Sequence, residues 1–306
     1  MVQLRLIFLG TSSSVPTIER SLSSIAILRG DELLLFDAGE GTQRQMLKAG
    51  IGFNRRTKIF ITHFHGDHVI GLLGILQTMA MLNRDRPLDI YGPRGIAGFI
   101  NYNSNYLKFE LTYQVRIHGV KEGVIVKEKD YVVRACPAEH SVRNYAYLLD
   151  ESDRPGVFYP ERALELGVPK GVLWSKLQDG ESIDLGGKMI TPHQVLGPRK
   201  PGRKIGISGD TRPNPRLSKF FSKADVIIFD STYGQECEDK AKDRLHSTAL
   251  EAAQVARDAG ANLLILTHFS ARYSDTSELV SQALKVHPNV MAASDLSVVD
   301  VPYRDS

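Results

Sequence analysis

The stretch Thr62-His63-Phe64-His65-Gly66-Asp67-His68 places three imidazoles and one carboxylate within six residues, directly after the apolar run Lys58 to Ile61. Zinc-like divalent ions take imidazole nitrogen and carboxylate oxygen as ligands. A buried strand ending in such a segment predicts a loop curled around metal, with Gly66 supplying backbone angles closed to other residues. Alternate placement would send His63 and His65 to one ion, and Asp67 and His68 to a neighbour. Two ions need more ligands than these. Further candidates end other apolar runs: His140 after Val132 to Cys136, Asp210 after Ile205 to Ile207, and His268 after Leu263 to Leu266. Polar groups at strand ends converge on one sheet edge, and the two oxygens of Asp210 suit it to bridging.

Outward from this segment the chain reads as an α/β protein. Leu4, Leu6 and Phe8 alternate as in a half-buried strand. Ser24 to Leu28 and Glu32 to Phe36 flank Gly30-Asp31 as a hairpin. Thr42 to Leu47 reads as helix, and Ile70, Leu73, Leu76 and Met79 recur at helical spacing between Val69 and Met81. Leu88 to Tyr91 is a strand, and Gly92-Pro93 turns into a helix. Val124 to Lys127, Tyr131 to Cys136, Lys204 to Ser208 and Val226 to Phe229 read as further strands, and Ser247 to Ala259 as a helix. From about Asp150 to Arg203, glycine and proline recur so often that the segment reads as an extended, poorly packed insertion.

Composition bounds the rest. The 306 residues carry 38 basic and 35 acidic side chains, a net charge of +3, so total charge does not announce nucleic-acid binding. Cys136 and Cys237 lie outside any CxxC pair, which fits a reducing compartment. The N-terminus, Met1-Val2-Gln3-Leu4-Arg5, has no basic leader, and no run reaches the ~18 apolar residues of a membrane span. The expectation is a cytoplasmic protein without a membrane partner.

The His63-x-His65-x-Asp67-His68 segment, with His140, Asp210 and His268, resembles the metallo-β-lactamase superfamily. The likeness narrows to the ribonuclease Z family through Phe8-Leu9-Gly10-Thr11, Leu35 to Gln43, Tyr91-Gly92-Pro93, Ser208-Gly209-Asp210-Thr211-Arg212, His246-Ser247-Thr248 and Leu266 to Tyr273. These segments run over nearly the whole chain, in the family's order. The resemblance implies a four-layer αβ/βα metallo-β-lactamase sandwich with metals at the sheet edge and an inserted flexible arm. It implies two zinc ions per subunit, one on His63, His65 and His140, the other on Asp67, His68 and His268, with Asp210 between them. Manganese also accepts such ligands. The reaction implied is hydrolysis of precursor transfer RNA, removing the 3′ trailer and leaving a 3′-hydroxyl on the transfer RNA and a 5′-phosphate on the trailer. Asp67 would orient the attacking water or accept its proton. His246 would protonate the departing ribose oxygen, held at a helix start by Ser247 and Thr248 as caps and oriented by Asp230. A homodimer is also implied.

One domain is expected over residues 1–306, with an RNA-binding arm at about 150–203. Gly167 to Leu177 resembles the arm's Gly-Pro motif, with Val172 where Pro is usual. Lys170, Lys176, Arg199, Lys200 and Arg203, together with Arg272, are the expected RNA contacts, because such charge grips phosphate without reading sequence. Trp174 is expected to pack the arm together. Pro16 to Ser21 departs from a family loop, with Ile18 and Ser21 replacing a Lys and an Asn, which bears on how a CCA end is treated. The alternative within the fold is a hydrolase of small phosphodiesters or sulfate esters.

Overall fold

The alternation that opens the chain forms β1 (Leu4–Gly10), and both faces of this strand are buried. Leu4, Leu6 and Phe8 enter the core between two sheets, while Ile7 and Leu9 pack under helices. The half-buried strand expected from the pattern is therefore a fully buried one, because a helical layer covers its second face. The computed structural model describes residues 2–304. Met1, the first residue of the N-terminal stretch read above, lies outside them.

The strands that follow are β2 (Ser24–Arg29), β3 (Glu32–Phe36), β4 (Arg56–Phe60), β5 (Leu88–Gly92), β6 (Val115–Gly119), β7 (Gly123–Lys127), β8 (Tyr131–Ala138) and β9 (Asn144–Glu151). After them come β10 (Ile183–Leu185), β11 (Lys188–Ile190), β12 (Lys204–Ile207), β13 (Val226–Asp230), β14 (Leu263–Thr267), β15 (Val290–Ala292) and β16 (Val298–Asp300). The helices are α1 (Thr42–Lys48), α2 (Gly66–Val69), α3 (Gly71–Met81), α4 (Ile96–Leu107), α5 (Pro160–Glu165), α6 (Val172–Gln178), α7 (Pro192–Val195), α8 (Pro215–Phe220), α9 (Glu238–Arg244), α10 (Ala249–Ala259) and α11 (Ser277–Leu284).

Residues 2–150 and 204–302 form one unit. One seven-stranded sheet runs β16-β1-β2-β3-β4-β5-β6, and a second runs β15-β14-β13-β12-β9-β8-β7. Side chains of both sheets meet in one core, including Phe8, Phe36 and Phe60 from the first and Tyr147, Ile205 and Ile228 from the second. Leu72, Ile75, Leu76 and Met79 of α3 cover the outer face of the first sheet. Alanines of α10 and Leu279 of α11 cover that of the second. This is the four-layer αβ/βα sandwich. Beneath the His-rich edge, Phe36 stacks on Phe60 at 4.8 Å and both rings lean on Tyr147. Burying each such ring is worth roughly 1.5–3 kcal/mol, which makes a stiff floor.

The helix expected between Val69 and Met81 is α3, which begins two residues later at Gly71; the short α2 precedes it, with exposed Ile70 between the two. Gly66 also departs from expectation. It is the first residue of α2 and has no left-handed φ. A short helix, rather than a loop requiring glycine, brings Asp67 and His68 round.

Glu151–Arg203, with the C-terminal residues from Tyr303, forms the second unit. The extended, poorly packed insertion expected from its glycines and prolines is instead a small folded body. Ala163, Val168, Leu177, Ile183, Ile190 and Val195 make its core, and β10 and β11 pair as a hairpin. Its turn residues separate short elements that still bury an apolar face. Trp174 packs as expected: it lies 5.1 Å from the Phe158 ring, and its Nε1 donates to the carbonyl of Val168.

Candidate metal centre

The first nest gathers at the ends of β4 and β8. His63 Nε2 lies 3.0 Å from His65 Nδ1, which lies 3.1 Å from His140 Nε2. Oδ2 of Asp210 completes it, 3.6 Å from His63 and 3.9 Å from His140. The second nest uses the other oxygen of the same carboxylate. Asp210 Oδ1 lies 3.2 Å from Nε2 of both His68 and His268. Asp67 Oδ2 lies 3.6 Å from each of those nitrogens. Four donors around one ion at 2.0–2.1 Å would stand about 3.3 Å apart at tetrahedral angles. The observed separations scatter around that value, and the donor set is the nitrogen and oxygen set that divalent zinc accepts. The residues fit two ions, with Asp210 shared.

Protonation supports the fit. Burial pushes His63 down to about 2, with the neighbouring His68 adding to the shift. His65 and His140 are also lowered, chiefly by burial. These imidazoles are neutral and have a lone pair to give. Burial opposes the charge on Asp210, but His268 and His68 hold it well below the usual carboxylate range. Asp67 is lowered too, against its burial, by a hydrogen bond from His268. His68 goes the other way: burial disfavours its charge, yet Asp210 and Asp37 raise it well above the ordinary value. Its carboxylate neighbours demand a cation.

Four of the five imidazoles, all but His65, are aimed by their other nitrogen through a close hydrogen bond. His68 Nδ1 donates to Asp37 Oδ2 at 2.7 Å, and His63 Nδ1 to Thr62 Oγ1 at 2.9 Å. Thr62 in turn donates to Asp37 through both its amide and its hydroxyl. His140 Nδ1 donates to the carbonyl of Leu245, and His268 Nδ1 to Thr232 Oγ1. Such partners fix the ring and raise its basicity. Asp37 and His268 both hold left-handed backbone, at φ 58° and 63°. That conformation is uncommon outside glycine and signals a constrained site. Gly209, at φ 60°, also matters: a side chain there would press on Thr62 at 3.1 Å, just before Asp210.

His246 stands beside the nests, its ring 5.2 Å from that of His268. Its Nδ1 lies 2.9 Å from Asp230 Oδ2. Burial would lower its pKa, but the Asp230 carboxylate and then Asp210 raise it to about 9. Of the two expected caps, Thr248 caps α10 in a capping box with Glu251. Ser247 instead donates to the carbonyl of Thr211, because the helix starts after Thr248. A third group within ligand reach, Asp210, Asp230, His246 and His268, links the proton-bearing pair to the second nest.

A cleft of about 750 Å³ opens over His65, His140 and His246, walled by Tyr233, Lys240, Arg244 and Arg272. Arg272 donates to Ser270 Oγ and lies over the Tyr233 ring. In the second unit, Lys170, Lys176 and Arg199 are exposed and Lys200 half-buried. Arg203 is a correction. It is buried and forms a bidentate pair with Glu151, so its charge is already spent and it offers nothing to phosphate. Arg20, the persisting cation of the N-terminal loop, is tied to Thr11 Oγ1 and the Ala293 carbonyl, while Ile18 is fully exposed.

Asp37, Thr62, Thr232 and the Leu245 carbonyl have site roles that residue type alone did not assign. For Asp37 a signal existed: it ends an apolar strand, as the ligands do.

A family profile described as Anti-Pycsar protein Apyc1 matches residues 4–147. Over 97% of the chain and 100% of the relative, the sequence is 47% identical to a protein of Nitrosopumilus maritimus named Ribonuclease Z. It is 43% identical to the Ribonuclease Z of Myxococcus xanthus, with both chains covered in full. The fold superposes on human tRNase Z, short form (ELAC1), with a TM-score of 0.72 and 27% identity, covering 97% of this chain and 99% of that one.

Proposed function

The chain belongs to the ribonuclease Z family, an endoribonuclease family acting at the 3′ end of transfer RNA, and from that premise we infer how its site performs the cleavage. It is a phosphodiester hydrolase with the metallo-β-lactamase fold, and its substrate is precursor transfer RNA. The observation that carries the mechanism is the division of Asp210 between two ligand nests, beside a carboxylate-held histidine in an open cleft.

His63, His65 and His140 would hold one divalent ion, and Asp67, His68 and His268 the other, with Asp210 serving both. Two zinc ions suit this set, and manganese accepts the same donors. Bound there, such ions draw charge from phosphate oxygens and favour ionisation of water near neutral pH. The chain supplies the rest. Asp67 orients the attacking water and takes its proton. Arg272 and Lys240 on the cleft wall meet phosphate charge. Asp230 holds His246 through Nδ1, which leaves Nε2 to protonate the departing ribose 3′-oxygen. The products are a transfer RNA with a 3′-hydroxyl and a trailer with a 5′-phosphate.

The second unit, about residues 150–203, serves as the RNA-binding arm of a single catalytic domain. Exposed Lys170, Lys176 and Arg199 support that reading. The protein acts as a homodimer, supported by Met81, Leu82, Tyr102 and Tyr106, which stand exposed on the first sheet's helical layer. No helix among the described residues is long and apolar enough to cross a membrane. A cytoplasmic enzyme is the reading that a transfer-RNA substrate supports. Incubation with a 3′-extended precursor transfer RNA and zinc or manganese, with the product end sequenced, tests the reading. A single cut at the 3′ boundary of the mature RNA is expected; scattered cuts or none would overturn it.

A further inference from the structure

A second groove, of about 390 Å³, shares no lining residue with the main cleft. Arg94, Lys121 and Arg143 line it, no acidic side chain does, and none of the three cations has an ion-pair partner among the described residues. All three are exposed. Glu122, the acid beside Lys121, is engaged by Arg216 instead. Like charges gathered without a counter-charge repel one another, and an anion relieves that cost.

The groove is built on segments that adjoin the ligand-bearing ones. Arg143 follows His140 by three residues, through Ser141, which lines the main cleft. The amide of Tyr145, a groove residue, donates to the carbonyl of Thr62, next to His63. Gly95, another groove residue, at φ +113° lies against the Phe64 ring, between His63 and His65 in sequence.

We propose that this groove holds the phosphates of the 3′ trailer strand as it leaves the metal centre. The direction rests on the reading that His246 protonates the ribose oxygen of the mature RNA. That oxygen must face His246, in the cleft walled by Lys240 and Arg272, so the mature RNA occupies that flank. The strand beyond the scissile phosphate then lies on the Arg94, Lys121 and Arg143 side. Contact is with backbone charge, so it tracks a strand of any sequence.

The test compares precursors carrying a trailer of about ten nucleotides, long enough to fill such a groove, with precursors carrying a single trailer nucleotide. The wild-type protein is set against a variant with Arg94→Gln, Lys121→Gln and Arg143→Gln. The wild type should show the higher kcat/KM on the long trailer. In the variant that advantage should shrink about tenfold, and the log–log salt slope on the long substrate should fall by about 2, as expected for three contacts to single-stranded RNA. Arg94→Lys with Arg143→Lys should keep the advantage, because charge suffices. A long-to-short ratio unchanged by the Gln variant, or an equal loss on both substrates, would overturn the assignment. Thermal unfolding of the variant at the wild-type temperature excludes misfolding as the cause. Fluorescence anisotropy of a labelled single-stranded oligoribonucleotide separates this proposal from the catalytic reading. Binding that needs the three cations supports the groove even where no cleavage is seen, and binding indifferent to them sinks it.

Discussion

His246 Nδ1 sits 2.9 Å from Asp230 Oδ2, and that carboxylate also accepts the amide of Thr211, one residue past Asp210, whose carboxylate the two nests share. His246, the proposed proton donor, and the segment of Asp210 are thereby fixed to one buried group. Asp230 raises His246 against its burial to about 9. A general acid works in its protonated form, so kcat should hold below that value and fall as pH rises through it. Asp230→Asn removes the charge that raises His246, so the alkaline limb should move to lower pH. His246→Ala should lower kcat by about 10²-fold or more, in the usual range for a lost general acid. A pH–kcat profile checks both, and an unmoved limb in Asp230→Asn would show that Asp230 does not set the proton.

Because Asp210 gives one oxygen to each nest, Asp210→Ala should lose metal from both. His65→Ala should lose it mainly from the first. Metal analysis of the purified variants distinguishes the two patterns. Chelation should abolish turnover, and zinc or manganese should restore it.

Asp67→Ala should lose turnover while still binding precursor transfer RNA, since the proposed RNA contacts do not include it. A gel-shift titration beside a cleavage assay reads this. Equal turnover by the variant would remove Asp67 from the mechanism.

Asp37 is buried and accepts hydrogen bonds from Thr62 and His68. Asp37→Ala leaves those donors without a partner, which should cost about 3 kcal/mol in denaturant unfolding. Metal affinity should also fall about 10–100-fold, because His68 loses the group that aims it. A competitive chelator titration measures the second effect separately from the first.

The second unit is built around its own apolar core. Deleting about Asp153 to Leu196 should abolish cleavage of precursor transfer RNA and spare hydrolysis of a small chromogenic phosphodiester. Survival of both activities would argue against an RNA-binding arm.

Much of the metal edge was legible in residue order. Ligand identity is a chemical property of each side chain, and the apolar runs before His63, His140, Asp210 and His268 already mark strand ends. Strand alternation gave the sheets, and capping residues such as Thr248 marked a helix start. Tertiary structure decided what depends on distant neighbours. The carbonyl that aims His140 belongs to Leu245, 105 residues away, and a backbone carbonyl carries no sequence signature. Arg203 reads as a free cation until Glu151 is found against it. The glycine- and proline-rich segment reads as open chain because its short elements have weak periodicity, and only their packing reveals a core. The groove of Arg94, Lys121 and Arg143 joins three separate segments. Sequence alone determined which chemistry was present. Folding decided which oxygens and nitrogens meet, because burial and long-range contact set both geometry and proton affinity.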